Sequence, residues 1–143
     1  MELLIASDHA GYDLKTSLTA WLRQQGHQVE DLGPASADRV DYPDYAHPLA
    51  QRIEAGEPKV GILLCGSGNG VCMTANKYPH VRAALVWNAE LAGLARAHND
   101  ANVLCLPARY LDEQEARLIV TTFLQTAFEG GRHAPRVQKI QPA

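Results

Sequence analysis

Short apolar runs alternate with amphipathic stretches along most of this 143-residue chain. The first run, "LLIAS" from Leu3 to Ser7, stops at Asp8 and predicts a strand. Leu14, Leu18, Trp21 and Leu22 then recur at helical spacing, and Gly26 ends that helix. "HQVEDLG" alternates and predicts a short second strand. "DYPDYAHPLAQRIEAG" predicts a helix ending before Gly56. Pro43 suits its first turn, but Pro48 requires either a kink or a later start. "KVGILLC" is a continuous apolar run, the pattern of a central strand covered on both faces. "VRAALVW" and "ANVLCLPAR" repeat that pattern, separated by a short helix in "NAELAGLARAHN" that Asn88 can cap. Asp112 suits the cap of the next helix, with Ala116, Ile119, Val120, Phe123 and Leu124 as its buried stripe. "EGGRHAPRVQKI" predicts a break and a short final helix.

Strands that alternate with helices define an α/β fold. The expectation is a three-layer, doubly wound, mostly parallel sheet of about five strands, Rossmann-like, with right-handed crossovers. The length fits a single domain over residues 1–143. Sheets of this kind place their sites beyond the carboxyl ends of the strands. "SDHAG" after the first strand and "CGSGNG" after the third both fall there.

Composition narrows the function. Hydrophobic residues make up 46% and charged residues 20%, as in a globular protein. A net charge of -3 argues against a general nucleic-acid binder, which carries a basic face. The N-terminus reads as neither a signal peptide nor a spanning segment, so no membrane role is expected. Three cysteines, in no metal-like pairing, suggest free thiols in a reducing cytoplasm.

Candidate chemistry collects at the two loops. Gly66, Gly68 and Gly70 let the backbone approach a ligand closely, and the following helix points free N–H groups at the loop. The result suits a phosphate or a reaction oxyanion, but a tight strand-to-helix turn explains the glycines equally well. The loop is neither a dinucleotide fingerprint, since Val71 stands where glycine is needed, nor a P-loop, since no Lys-Ser or Lys-Thr follows. Cys65 beside it is more informative. A helix N-terminus stabilises negative charge on a neighbouring thiol, and a thiolate serves as nucleophile or base. A buried strand-end cysteine is the plainer alternative, and it fits Cys72 and Cys105 better. Asp8 and His9 can move protons or hold a phosphate, though Asp8 also suits a helix cap. His98 and Asn99 end a helix, where a histidine often only meets the dipole. Arg132 and Arg136 are four apart and can share one helical face toward a phosphate, with Arg109 able to join them. Solvated basic residues are the plainer reading.

The stretches "ASDHAG", "DYPDYA", "GILLCGSGNG" with "ANK", "HNDANVL" and "GGRHAPR" occur in one order over nearly the whole chain. Together they resemble the ribose-5-phosphate isomerase B family of sugar-phosphate isomerases. The resemblance implies a metal-independent, cofactor-free aldose–ketose isomerisation, typically of D-ribose 5-phosphate and D-ribulose 5-phosphate, through an enediolate. It implies a phosphorylated sugar as partner and a homodimer or dimer of dimers, with no nucleic acid and no membrane. Carried over position by position, Cys65 matches the base and His98 the acid that opens the ring. Asp8, His9, Asn99 and the loop Gly66, Ser67, Gly68, Asn69 and Gly70 match substrate-contacting positions. Arg109, Arg132 and Arg136 match the phosphate site, and Tyr42 matches a tyrosine lining it. Many members have threonine and isoleucine where this chain has Ser67 and Asn69. A branch with a similar loop uses a glutamate just after it, where Val71 stands here, which leaves Cys65 as the base.

The residues and the resemblance agree on a mechanism. Cys65 takes the proton, backbone N–H groups hold the enediolate oxygens, Ser67 relays a proton between O1 and O2 with Asp8 beside it, and the arginines hold the phosphate. Cys65 ends a strand, whereas His98 and Asn99 precede one, so in a parallel sheet they belong to opposite edges. The expectation is an active site shared between two subunits. Isomerases of allose, galactose or tetrose phosphates, and a non-catalytic phosphosugar-binding protein, remain open readings at this level.

Overall fold

A computed structural model describes residues 1–142. The strands are β1 (Glu2–Ser7), β2 (Gln28–Asp31), β3 (Gly61–Cys65), β4 (Ala83–Leu85) and β5 (Val103–Pro107). The helices are α1 (Tyr12–Gln24), α2 (Pro43–Glu54), α3 (Asn69–Ala75), α4 (Ala89–Ala97), α5 (Glu113–Gln125) and α6 (His133–Gln138). All four strand pairings are parallel, and the sheet order is β2-β1-β3-β5-β4. The doubly wound sheet expected from the alternation is present.

Strand side chains alternate between two faces, and this divides the core. Leu3, Ile5, Ile62, Leu64, Leu104 and Leu106 pack under Leu18 and Leu22 of α1, Ala92 and Ala95 of α4, and Ile119, Val120 and Phe123 of α5. Leu4, Ala6, Leu63, Cys65, Val103 and Cys105 pack under Ala46, Leu49 and Ile53 of α2 and Val71 and Ala75 of α3. With both faces covered, β3 and β5 are buried at every residue, as their unbroken apolar runs require. The expected caps form. Asn88 Oδ1 accepts from Leu91 N–H at 2.9 Å, and Asp112 forms a reciprocal capping box with Glu115. Leu124 packs against the core only partly buried.

Two elements refine the sequence expectation. The helix α2 starts at Pro43 and runs through Pro48, so of the two alternatives the later start is not taken. Pro48 is exposed, and the carbonyl it leaves without a donor belongs to Asp44 in the first turn, where water can serve it. "VRAALVW" is not a central strand. Only Ala83–Leu85 pair, each half-buried, because β5 inserts between β3 and β4 and leaves β4 at the rim.

A charged side chain sits where the hydrophobic pattern gives no warning of it. Lys15 of α1 is 1% exposed; its Nζ lies 2.6 Å from Asp31 Oδ2 and donates to the Pro34 carbonyl at 3.0 Å. The pair ties α1 to the end of β2. No helix among the described residues is long and apolar enough to cross a membrane.

Candidate active site

The order of strands reverses between β1 and β3, and β1 and β3 lie side by side with Ser7 opposite Leu64. The loops that leave their carboxyl ends therefore emerge together. Asp8 N–H donates to the Leu64 carbonyl at 3.1 Å, and Asp8 Oδ1 accepts from Gly11 N–H at 3.1 Å. Asp8 thus holds the turn into α1, as a capping residue does, while buried at 7% exposure beside the end of β3. His9 faces the backbone of Val40: its Nδ1 lies 3.2 Å from both the amide nitrogen and the carbonyl oxygen of Val40.

The glycine turn follows Cys65 directly. Gly68 has φ of 75°, and a side chain there would meet Leu85 and the backbone of Leu106 and Pro107. Gly70 lies under the Tyr42 ring, which a Cβ would approach to 2.6 Å. Ser67 Oγ accepts from both the backbone and the side-chain amide of Asn69, each at 3.3 Å, so its own proton is free to donate. Arg109, in the turn after β5, donates its backbone N–H to the Gly66 carbonyl at 3.1 Å and lays its guanidinium against Gly66. Cys65 closes the group, buried among the α2-facing residues at 5% exposure. Its location is more enclosed than a loop-lip position implies.

The other two thiols do not belong to this turn. Cys105 lies in mid-strand, and burial, with Cys72 beside it, pushes its thiol well above the usual range. Cys72 is not a strand-end residue. It sits on α3, half-buried, and its thiol is lowered by a hydrogen bond from Cys105 against the opposing effect of burial.

A second group forms elsewhere. His98 caps the C-terminus of α4, at the amino edge of the sheet. Its ring stacks on His133 with centroids 4.1 Å apart and planes 13° from parallel. Arg132 and Arg136 flank that histidine on α6, and Glu129 Oε1 lies 3.5 Å from its Nε2. Glu129 N–H donates to the Ala97 carbonyl at 3.0 Å, which hangs this segment, and Asn99 with it, on the end of α4. Loss of water on burial lowers the pKa of His133, as do the charges of His98, Arg132 and Arg136, and Glu129 opposes them only partly. His98, Glu129 and His133 have ligand atoms within 4.8 Å of one another. Stacked rings aim their in-plane lone pairs side by side rather than at one point, and two guanidiniums crowd the group. The arrangement suits an anion better than a cation.

The chain therefore separates its candidate residues into two sets. Asp8, His9, Tyr42, Cys65, Gly66–Gly70 and Arg109 meet at the carboxyl edge. His98, Asn99, Arg132 and Arg136 meet at the amino edge. Arg109 stands with Cys65 rather than with the other two arginines. Val103 and Pro107 bound β5 between the edges, about 13 Å of strand at 3.3 Å per residue. A cavity of about 1090 Å³ does open on the amino edge, but Glu2, Arg52, Glu57 and Lys59 line it and none of the candidate residues does. Sequence reasoning missed His133 and Glu129; Glu129 precedes α6 across two positive-φ glycines, so no helical spacing signalled the pair.

A parallel sheet whose switch point gathers a thiol, a carboxylate, an imidazole and a guanidinium around a glycine turn is the frame of an α/β enzyme. Known proteins place it more narrowly. The family model described as Ribose/Galactose Isomerase matches residues 3–140. A probable ribose-5-phosphate isomerase B of Mycoplasma pneumoniae is 53% identical over 139 residues, covering 96% of this chain and 91% of that one. The structure of a ribose 5-phosphate isomerase from Thermotoga maritima superposes with a TM-score of 0.97 at 47% identity, over 99% of this chain and 98% of that one. A Mycoplasma genitalium ribose-5-phosphate isomerase B solved with bound ribulose-5-phosphate gives 0.93 at 46% identity, over 97% and 93%. The chain belongs to the ribose/galactose isomerase family and is an aldose–ketose isomerase by class.

Proposed function

We propose that this protein interconverts D-ribose 5-phosphate and D-ribulose 5-phosphate through an enediolate, as one sugar-phosphate isomerase domain that needs no metal or cofactor. The observation that carries the reading is the position of Cys65, a buried thiol at the end of β3 against a turn of backbone N–H groups. The relative with ribulose-5-phosphate bound, 46% identical, supports the substrate.

The ring form must open first. His98 gives a proton to the ring oxygen while solvent water takes the one that leaves the O1 hydroxyl, which frees the C1 aldehyde. Cys65 then takes the proton from C2. Charge moves onto O1, where N–H groups of Gly66 to Gly70 stabilise it. Ser67, its oxygen engaged by Asn69 and its proton free, passes a proton between O2 and O1. Cys65 returns its proton to C1 and the ketose forms. Asp8 keeps one carboxylate oxygen for a sugar hydroxyl, and His9 offers Nε2 as a hydrogen-bonding group. Tyr42 covers the turn, and Arg109, Arg132 and Arg136 hold the phosphate. That remote grip positions the reacting carbon.

The two-edged arrangement supports a shared site. In our reading a second copy brings its own His98, Asn99, Arg132 and Arg136 to the Cys65 edge, as a homodimer or a dimer of such dimers. Met73, Trp87 and Tyr110 stand 67%, 55% and 75% exposed on elements at that edge, bulky apolar surface of the kind a partner covers. Three free cysteines suit a reducing cytoplasm.

Purified protein, with chelator present, is offered ribose 5-phosphate and parallel six-carbon and four-carbon aldose phosphates, and ketose is measured. Pentose turnover is expected. Turnover of only another sugar would keep the mechanism and change the substrate. Tight binding without turnover would leave a phosphosugar-binding protein instead.

A further inference from the structure

The turn after α4 is held by more than a helix end needs. Arg96 closes the last turn of α4 with its side chain only 19% exposed. Its Nη1 donates to the Ala101 carbonyl at 2.6 Å and to Asp100 Oδ1 at 3.0 Å. Its Nε donates to the Thr126 carbonyl at 3.2 Å, and the guanidinium lies over the Phe123 ring. Three of its five N–H groups are thus taken by protein. Asp100 is the one non-glycine residue with positive φ among the described residues, at 48°. Glycine or asparagine commonly fills such a position after a helix. Here the aspartate is held from a second side, since Arg82 donates from Nε to its carbonyl at 2.8 Å and from Nη2 to Oδ2 at 3.3 Å.

The two segments joined by Arg96 are the ones that carry the amino-edge group. Asp100 and Ala101 follow His98 and Asn99 directly. Thr126 ends α5, and the chain from there leads through Glu129 to Arg132, His133 and Arg136. A single guanidinium therefore spans the two backbones whose spacing decides whether His98 and His133 stack.

We propose that Arg96, with Asp100 and Arg82, is a positioning residue: it fixes the His98 ring against His133 and sets the distance from His98–Asn99 to the arginines of α6. The importance of that distance for turnover rests on the isomerase reading above, in which His98 opens the ring. A side chain about 1 Å out of place costs about 10²-fold in rate. The fork of the guanidinium is essential to this role, because its N–H groups point to different segments at fixed angles. Lysine offers charge at the helix end but no such fork.

The test uses the whole protein, with Arg96→Met, Arg96→Lys and Asp100→Gly as variants. Glycine adopts φ of 48° without strain, so the last variant removes the carboxylate and keeps the turn. Carbon–proton NMR of the imidazole rings reports the stack through mutual ring-current shifts, and kcat on ribose 5-phosphate reports its use. All three variants are expected to move the His98 and His133 signals while the other four histidines of the chain stay in place. Arg96→Met is expected to lose about 10²-fold in kcat, with little recovery in Arg96→Lys. Unmoved His98 and His133 signals in Arg96→Met and Asp100→Gly would overturn the proposal. Full recovery by lysine would overturn it too, since charge alone would then suffice. If Arg96→Met fails to fold, Asp100→Gly decides on the same signals. Should the wild-type protein not turn over ribose 5-phosphate, the isomerase reading fails, and the NMR comparison still decides the clamp.

Discussion

His98 and His133 stack face to face, 4.1 Å between centroids, across the gap between the end of α4 and the start of α6. Loss of water on burial, His98, Arg132 and Arg136 all lower the His133 pKa from its ordinary 6.5. Its proton therefore binds more tightly in the unfolded chain than in the folded one. The stabilisation from a neutral His133 is full above pH 6.5 and declines as pH falls through that value toward the lower folded one. His27 shifts the same way, through burial and the N-terminal ammonium. The unfolding midpoint of the wild-type protein is expected to drop between pH 7.5 and 5.5, and that of His133→Gln to drop less. Parallel curves would show that His133 takes no part.

Removal of the Cys65 thiol tests the proposed chemistry. Cys65→Ala is expected to lose about 10²–10⁴-fold in turnover while it keeps the fold, since a smaller apolar residue replaces a small buried thiol. Near-normal turnover would reject Cys65 as the base.

Subunit mixing tests the shared site. Cys65→Ala and His98→Ala chains are each expected to be inactive as pure proteins. A hybrid dimer has one intact site, built from the His98 group of one chain and the Cys65 group of the other. Half the dimers in a randomised mixture are hybrids, so recovery of about a quarter of wild-type activity is expected. No recovery, with exchange verified by mass spectrometry, would mean that each site is built within one chain.

Gly68 and Gly70 separate strain from coverage. Gly68→Ala meets backbone of β5 at φ of 75° and is expected to cost about 1–3 kcal/mol of stability. Gly70→Ala meets only the Tyr42 ring, which at 40% exposure has room to swing away. Its stability is expected to stay near wild type while its KM rises. Denaturant unfolding and steady-state kinetics on both variants check the contrast.

The ion pair between buried Lys15 and Asp31 offers a fifth measurement. Asp31→Ala leaves the buried Lys15 Nζ with only the Pro34 carbonyl as partner and is expected to destabilise by about 1–3 kcal/mol, less than for a fully buried pair because Asp31 is partly solvated. Lys15→Met, which fits the same apolar surroundings, is expected to cost less. Equal losses would place the contribution in the packing of the lysine stem.

Which parts of this were legible beforehand follows from the range of the forces involved. Local patterns fix strands and caps, so the apolar runs of β1, β3 and β5 and the caps at Asn88 and Asp112 could be read directly. The sheet order decided what was misread. β5 inserts beside β3, and that event alone makes β4 a rim strand of three residues rather than a central one. Pro48 was ambiguous because helix-interior proline clashes with the carbonyl four residues back and orphans it, and whether packing of the rest of α2 outweighs that cost is a tertiary property.

The sequence by itself determined the α/β class, the two loops at the carboxyl edge and the residue types proposed to carry the chemistry, because each depends on spacing within a few residues. Only the tertiary structure decided that Arg109 stands with Cys65 while Arg132 and Arg136 stand with His98. It alone buried Lys15 against Asp31, stacked His133 on His98 and brought Arg96 between the two segments. These contacts join residues far apart in the chain, through a sheet order and a strand direction that no local pattern encodes.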